Sequence, residues 1–352
     1  MDIEFHYFMT YLVAARAGFD PDQAHTIAYS CQYIDDNDLI FEINRDSPEY
    51  YSNYVSQTIN ILKPKKVLLR IYPIFHFIPG DTFHESTRRK DGKLHYLNTT
   101  ADSKNARAVL RDALKSGDLY RIGLACHSYS DSWSHQNFVG YFDEFNVLKG
   151  VFVSLGHVAA LDRPDRAAVI WNDNRLLQSQ TSRGNKQIYL EAAGRIFDEF
   201  RGYKYPGIPD DINQADREQL IQDLSWAIGE NDQFNRHSKT RINRYKKLSR
   251  KKEYGGVEIA DYNLEQWMDE AVRENIRGFR IRSKKVIVRF INGLFSRAMP
   301  YFKDKYSWKD LSQYRMTHWY RFQEAVKTQQ EKTTEILNEA VFGKLELDLV
   351  NW

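Results

Sequence analysis

His127, Asp131 and His135 stand four residues apart in the segment CHSYSDSWSH, which runs from Cys126 to His135. At 100° per residue, positions i, i+4 and i+8 drift by only about 80° around a helix, so the three side chains share one stripe. Two imidazoles and a carboxylate so arranged suit zinc or another divalent ion, which nitrogen and oxygen donors bind directly. The rival reading is a row of hydrogen-bonded polar residues on a buried helix. Three polar groups on one face would each need a partner there, which favours the metal.

One helix cannot complete a tetrahedral site, so further donors must come from elsewhere. His6 lies in the first apolar run, Asp35 and Asp36 close the second, His76 sits within FHFIP, and His157 follows Gly156. Taken singly, each is better read as a satisfied core histidine or a helix-terminal carboxylate. Their order and aromatic flanks set them apart. His84 and His95 flank a charged loop tip, and His25, His237 and His318 have no acidic or histidine neighbour at ligand spacing, so all five are left outside the site. Ser128, Ser130, Ser132 and Ser134 lack a G-x-S-x-G elbow, and no glycine-rich phosphate loop occurs.

In this order the chain resembles the superfamily of zinc-dependent phospholipase C and P1-type nucleases. His6 resembles its early histidine, Tyr33-Ile34-Asp35 its Trp-Ala-Asp element, Phe75-His76-Phe77-Ile78 its Trp-His-aromatic-Ile element, and His127 with Asp131 its central His-x3-Asp. The tighter His-x3-Asp-x3-His followed by Asn-Phe, here His127 to Phe138, is similar to the variant in HET-C-type proteins, and Gly156-His157 resembles a later Gly-His. The likeness spans about the first 165 residues. It implies a multi-helix domain holding one to three divalent ions, zinc foremost, and hydrolysis of a phosphoester. In that scheme His6, Asp35, Asp36, His76, His127, Asp131, His135, His157 and Asp162 are the ligand candidates. Asp131 would bridge metals, and Asp35 would bind one or orient the attacking water. Where the family has its last carboxylate this chain has Leu161, so Asp162 or Asp165 would substitute. The family also uses an N-terminal tryptophan as a ligand, and here that end is Met1.

The elements that must position these residues read as mainly helical. Two antiparallel helices are expected over 5–34, turning at Gly18-Phe19-Asp20-Pro21, and further helices over 101–115, 119–137, 142–148, 187–201, 215–230, 264–277 and 311–338. Strands are expected only at 67–72 and 94–97, around Asp91-Gly92. Two prolines and a glycine in 203–211 mark a linker, dividing a metal-binding domain, 1–202, from a helical extension, 212–352, packed on it.

With 352 residues and a net charge of +3, overall charge does not argue for a polyanionic partner. Its distribution does more: Arg236, Lys246, Lys247, Lys251 and Lys252 belong to a run without acids, which reads as a solvated face or as a surface for nucleic acid or anionic lipid. Arg273, Arg277, Arg280, Arg282, Lys284, Lys285 and Arg289 extend it. Cys31 and Cys126 form neither a disulfide framework nor a thiolate metal motif and are expected as small buried side chains. No apolar run is long enough to span a bilayer, and the start lacks the order of a signal peptide, so a cytoplasmic protein is expected. The reading is therefore a metal-dependent hydrolase of phosphodiester or phospholipid bonds, acting on a phosphorylated substrate. Its rival is a metal-stabilised interaction or toxin-like module binding an anionic partner.

Overall fold

A computed structural model describes residues 1–58, 65–148, 154–157, 160–275 and 305–345. The protein is mainly helical. A π-helical turn, Glu4–Met9, runs straight into α1 (Thr10–Ala17), and α2 (Pro21–Asp36) returns antiparallel. Asp20 begins α2 by accepting the Gln23 N–H at 2.9 Å, with Pro21 at the first helical position where its missing N–H costs nothing. There follow α3 (Lys65–Phe75), α4 (Lys104–Ser116) and α5 (Leu119–Ser134), the last two started by the Ser103 and Asp118 side chains. After them come α6 (Asn185–Lys204), α7 (Asp210–Ile228), α8 (Ser238–Ser249), α9 (Gln266–Ala271) and α10 (His318–Leu337).

The strands are short. β1 (Glu42–Ile43), β2 (Tyr51–Ser52), β7 (Val272–Glu274) and β8 (Tyr306–Trp308) form a sheet ordered β2-β1-β8-β7, with β1 and β8 parallel. β3 (Phe142–Asp143) pairs with β4 (Ser154–Leu155), and β5 (Ile170–Asn172) with β6 (Ser182–Gly184).

Several expectations from sequence require correction. The expected strand 67–72 lies in α3, where Leu68, Leu69, Ile71, Ile74 and Phe75 are buried and Val67, Arg70 and Tyr72 partly exposed; a short apolar run does not by itself distinguish a strand from a helix. The expected strand 94–97 is a turn, with Leu94 and Tyr96 exposed. In place of a helix over 142–148 there is β3 and one 3-10 turn. The Asp143 and Asn146 side chains there bond to nearby backbone and compete with helix formation. The stretch 264–277 holds α9 and then β7, and residues 276–277, with the basic residues beyond, lie outside the described chain. Helix α5 stops at Ser134, its cap His135 already out of helical geometry (φ −89°, ψ 9°), and the chain then turns through the left-handed Asn137, φ 70°.

One hydrophobic cluster runs from Met1 to Phe342 and draws on residues before 203 and after 211. Trp267 of α9 stacks on Tyr29 of α2 at 4.0 Å between centroids, and Arg201 of α6 pairs with Asp216 of α7 across the 203–211 connection. At its centre α5 lies against α2. A Cβ on Gly123 would meet the Ile27 carbonyl oxygen and Ser30 Cβ at 2.5 Å, so only glycine permits this approach.

Candidate metal centre

Helix α5 is buried on every side from Arg121 to Ser134. Its serines satisfy themselves locally: Ser128, Ser130 and Ser132 donate to carbonyls one turn back, at 3.2, 2.9 and 2.6 Å. His127 and Asp131 point into the core and His135 caps the helix, so the stripe meets donors from four other places. His6 comes from the π-helical turn, Asp35 from the end of α2, His76 from just past α3, and His157 from the turn after β4.

The imidazoles are held by backbone carbonyls, which can only accept. His76 therefore donates through Nε2 to Ser56 (3.1 Å), His127 through Nδ1 to Cys31 (2.7 Å), His135 through Nδ1 to the carbonyl of His76 (2.8 Å), and His157 through Nδ1 to Leu161 (2.8 Å). When the ring is neutral, each keeps its other nitrogen as a lone pair aimed inward, the arrangement that orients metal-ligating histidines.

Three groups of donors result. His76 Nδ1 and His127 Nε2 lie 3.0 Å apart, each 3.7 Å from Asp35 Oδ1. His135 Nε2 and His157 Nε2 lie 3.4 and 3.1 Å from the two oxygens of Asp165. The innermost group is the α-amine of Met1 and His6 Nε2, both on Asp131 Oδ1, the latter at 3.2 Å. Asp131 sits between groups: its other oxygen, Oδ2, is 3.2 Å from His127 Nε2 and 3.5 Å from His135 Nδ1. Rings pack behind the donors, His6 stacking on His127 at 3.9 Å and Phe77 on His135 at 4.2 Å.

The electrostatics favour cations. Burial alone would raise Asp131, but His135, the Met1 amine, His127 and His6 outweigh it and hold the carboxyl well below the usual range. Asp165 behaves likewise, chiefly through His157 and the amine. Burial lowers the Met1 amine, yet Asp131 and Asp165 outweigh it and push it up to about 11. The groups open on a cavity of about 220 Å³ lined by Asp35, Gln57, Tyr72, Phe77, His157 and Asp165 among others. His6 Nε2 and Asp165 Oδ1 are buried without a well-formed hydrogen bond, as donors to a cation would be.

Two residues named from sequence lie elsewhere. Asp36 turns away from Asp35 to accept the Tyr262 hydroxyl at 2.9 Å, since adjacent positions on a helix face different directions. Asp162 is largely exposed and pairs with Arg166, and the carboxylate in the cavity is Asp165, on the 3-10 turn Arg163–Asp165. The Met1 amine is not among the ligand candidates from sequence, because Met1 departs from the tryptophan that the resembled family has there, yet it lies against Asp131 and Asp165. Cys31 approaches His6 Nδ1 at 3.6 Å, but burial first and then Cys126 hold its thiol well above the usual range, which disfavours a thiolate ligand.

Of the basic residues, Lys246 meets Asp261 at 2.6 Å, Lys251 meets Asp223 at 3.1 Å, Arg236 lies 3.6 Å from Asp232, and Lys247 lies over the Trp226 ring. Lys252 is exposed.

Fold and site together define a helical protein with a buried cluster of histidines and aspartates around a small cavity. Residues 1–337 match DUF6765, a family of unknown function, and the chain belongs to that family. No match was found among curated proteins or among solved structures. No helix among the described residues is long and apolar enough to cross a membrane.

Proposed function

We propose that this chain is a metal-dependent hydrolase of phosphoester bonds, holding up to three divalent ions, zinc foremost. One observation carries the reading: His76 Nδ1 and His127 Nε2 face each other at 3.0 Å while their other nitrogens are both committed to carbonyls. Two bare lone pairs so close repel, unless a cation lies between them or one ring takes a proton. Bonds of 2.0–2.1 Å to one tetrahedral ion would separate two nitrogens by about 3.3 Å, close to what is seen. His135, His157 and Asp165 repeat the construction, which supports a site built for ions over a single protonated imidazole.

Asp35, His76 and His127 would hold one ion, His135, His157 and Asp165 a second, and His6 and Asp131 a third, joined by the Met1 amine only when the ion displaces the proton it holds, with Asp131 shared. Bound ions of this kind acidify a water and neutralise charge on phosphate oxygens during in-line displacement. Asp35 is the carboxylate best placed to hold a proton at the reacting centre. Its side chain is 30% exposed on the cavity and Gln57 Nε2 reaches it at 3.5 Å, whereas Asp131 is enclosed. Burial, partly offset by His127 and His76, raises the Asp35 carboxyl above its ordinary value, as suits proton transfer. The cavity accommodates a phosphoryl group and a small substituent, so a larger substrate would leave its remainder outside.

The rival, in which metals only stabilise an interaction module, draws support from the innermost group, where Met1, His6 and Asp131 are almost wholly buried and His6 does not line the cavity. The two outer groups reach the cavity and favour the enzyme. The test is metal analysis of purified protein together with turnover of bis(p-nitrophenyl) phosphate by zinc-loaded protein. Metal with turnover supports the enzyme, metal without turnover on any phosphodiester supports the module, and absence of bound metal after zinc loading overturns both.

A further inference from the structure

Outside the cavity lining, Arg241 of α8 reaches Glu4 through two parallel hydrogen bonds, Nε to Oε2 at 2.8 Å and Nη2 to Oε1 at 2.7 Å. Both side chains are almost completely buried, at 2% and 0% exposure. Arg241 also donates to the Asn235 side chain, and the Tyr245 hydroxyl donates to Glu4 at 3.4 Å. A buried ion pair adds little net stability, because desolvating two charges costs about as much as their attraction returns. Its distinctive property is geometry: a planar guanidinium gripping both carboxylate oxygens fixes distance and orientation together.

What it orients is the π-helical turn Glu4–Met9, which carries His6. Residues two apart on a helical turn point in roughly opposite directions, about 200° apart at α-helical spacing. Glu4 therefore faces α8 while His6 faces Asp131 on α5. Rotating the turn about its axis would disturb both contacts at once. Unlike its four counterparts, His6 has no backbone carbonyl on its outer nitrogen, only Cys31 Sγ at 3.6 Å and Ser130 Oγ at 3.5 Å. Its aim thus depends on the turn that bears it, and π-helical turns cluster at functional sites.

We infer that the Glu4–Arg241 pair is a positioning device for the innermost donor group, aiming His6 and the Met1 end at Asp131, and that Arg241 serves this purpose and not the recognition of polyanions. The inference rests on the metal reading above and assigns the C-terminal part of the chain a role in it. Arg241 touches no substrate; it acts through Glu4.

The test compares wild type with Arg241→Met and Arg241→Lys, measuring zinc affinity and stoichiometry by titration and amide hydrogen exchange in metal-free protein. Arg241→Met is expected to weaken one class of zinc site by roughly 10- to 100-fold, the range for loss of an orienting partner. That class should be the one His6→Ala abolishes, with the other classes kept. Arg241→Lys, which keeps charge but not the two-pronged grip, should fall between and stands in if Arg241→Met does not fold. Exchange should rise in residues 4–10 and stay unchanged in Leu119–Ser134. A purely structural pair would weaken every class together, and that result, or an unaltered titration with unaltered exchange at 4–10, overturns the inference. If wild type binds no zinc, the proposed function falls, and exchange at 4–10 alone decides whether Arg241 positions the turn.

Discussion

Leu161 accepts the Nδ1–H of His157 at 2.8 Å on its carbonyl while its own backbone sits at φ 57°, a left-handed conformation that a leucine rarely adopts. Its side chain is 62% exposed, so packing does not explain the conformation. The strain, about 1–3 kcal/mol, is offset by the carbonyl it presents.

Two substitutions separate the roles of that residue. Leu161→Gly adopts the same backbone without strain and should leave metal affinity unchanged. Leu161→Pro, fixed near φ −65°, must withdraw the carbonyl and should weaken the His135–His157–Asp165 group by roughly 10- to 100-fold. Zinc titration of both variants distinguishes them. Equal affinity in the two would mean that the carbonyl does not orient His157.

Removing metal should unfold the protein more easily. A ligand held at a thousand times its dissociation constant stabilises the native state by about 4 kcal/mol, so chelator should lower the thermal midpoint and zinc restore it. Asp131→Asn, which spoils the carboxylate shared between groups, should abolish most of this zinc response, whereas the exposed His84→Ala should retain it. Identical melting with and without chelator would contradict the metal reading.

Zinc loading should release protons. Burial lowers His127 and His157, but Asp131 with Asp35 outweighs it for the first and Asp165 for the second, so both are held above the ordinary imidazole range. They therefore carry protons near pH 6.5 without metal, and ligation must expel them. Affinity accordingly falls as pH drops through their range and levels off above it. An indicator dye in weakly buffered solution at pH 6.5 should report acidification on adding zinc, and a flat trace would count against these two ligands.

Gly123→Ala should be costly for a buried helix position. The new methyl meets the Ile27 carbonyl oxygen and Ser30 Cβ, forcing α2 from α5 and Asp35 from His127. A loss of about 1–3 kcal/mol is expected from denaturant unfolding, with weakened zinc binding. Unchanged stability would mean that the two helices are not held at this spacing.

The polyanion surface has a quantitative test. With Lys246 and Lys251 already opposite Asp261 and Asp223, replacing Lys246, Lys247, Lys251 and Lys252 by glutamine should change the salt slope of nucleic-acid binding by about two charges or fewer. A change near four would establish all four lysines as phosphate contacts.

How much of this was legible from sequence follows from the range of each interaction. The four-residue spacing of His127, Asp131 and His135 places them on one stripe because helix geometry is local, and the Asp20-Pro21 start of α2 is equally local. Helical character could be read for the same reason, whereas α3 reads as a strand because its run of branched and apolar residues is short, although its part-exposed Val67, Arg70 and Tyr72 alternate with buried positions at helical spacing. Only the tertiary structure decided that Asp165 and not Asp162 enters the cavity and that Asp36 turns toward Tyr262, since these depend on where loops land. It likewise decided which nitrogen of each imidazole is free, because carbonyls distant in sequence take the other, and it drew Arg241 out of an apparently solvated basic run into the core beside Glu4. A sequence displays charge and spacing, but whether a charge meets water or a partner 237 residues away depends on packing across the whole chain.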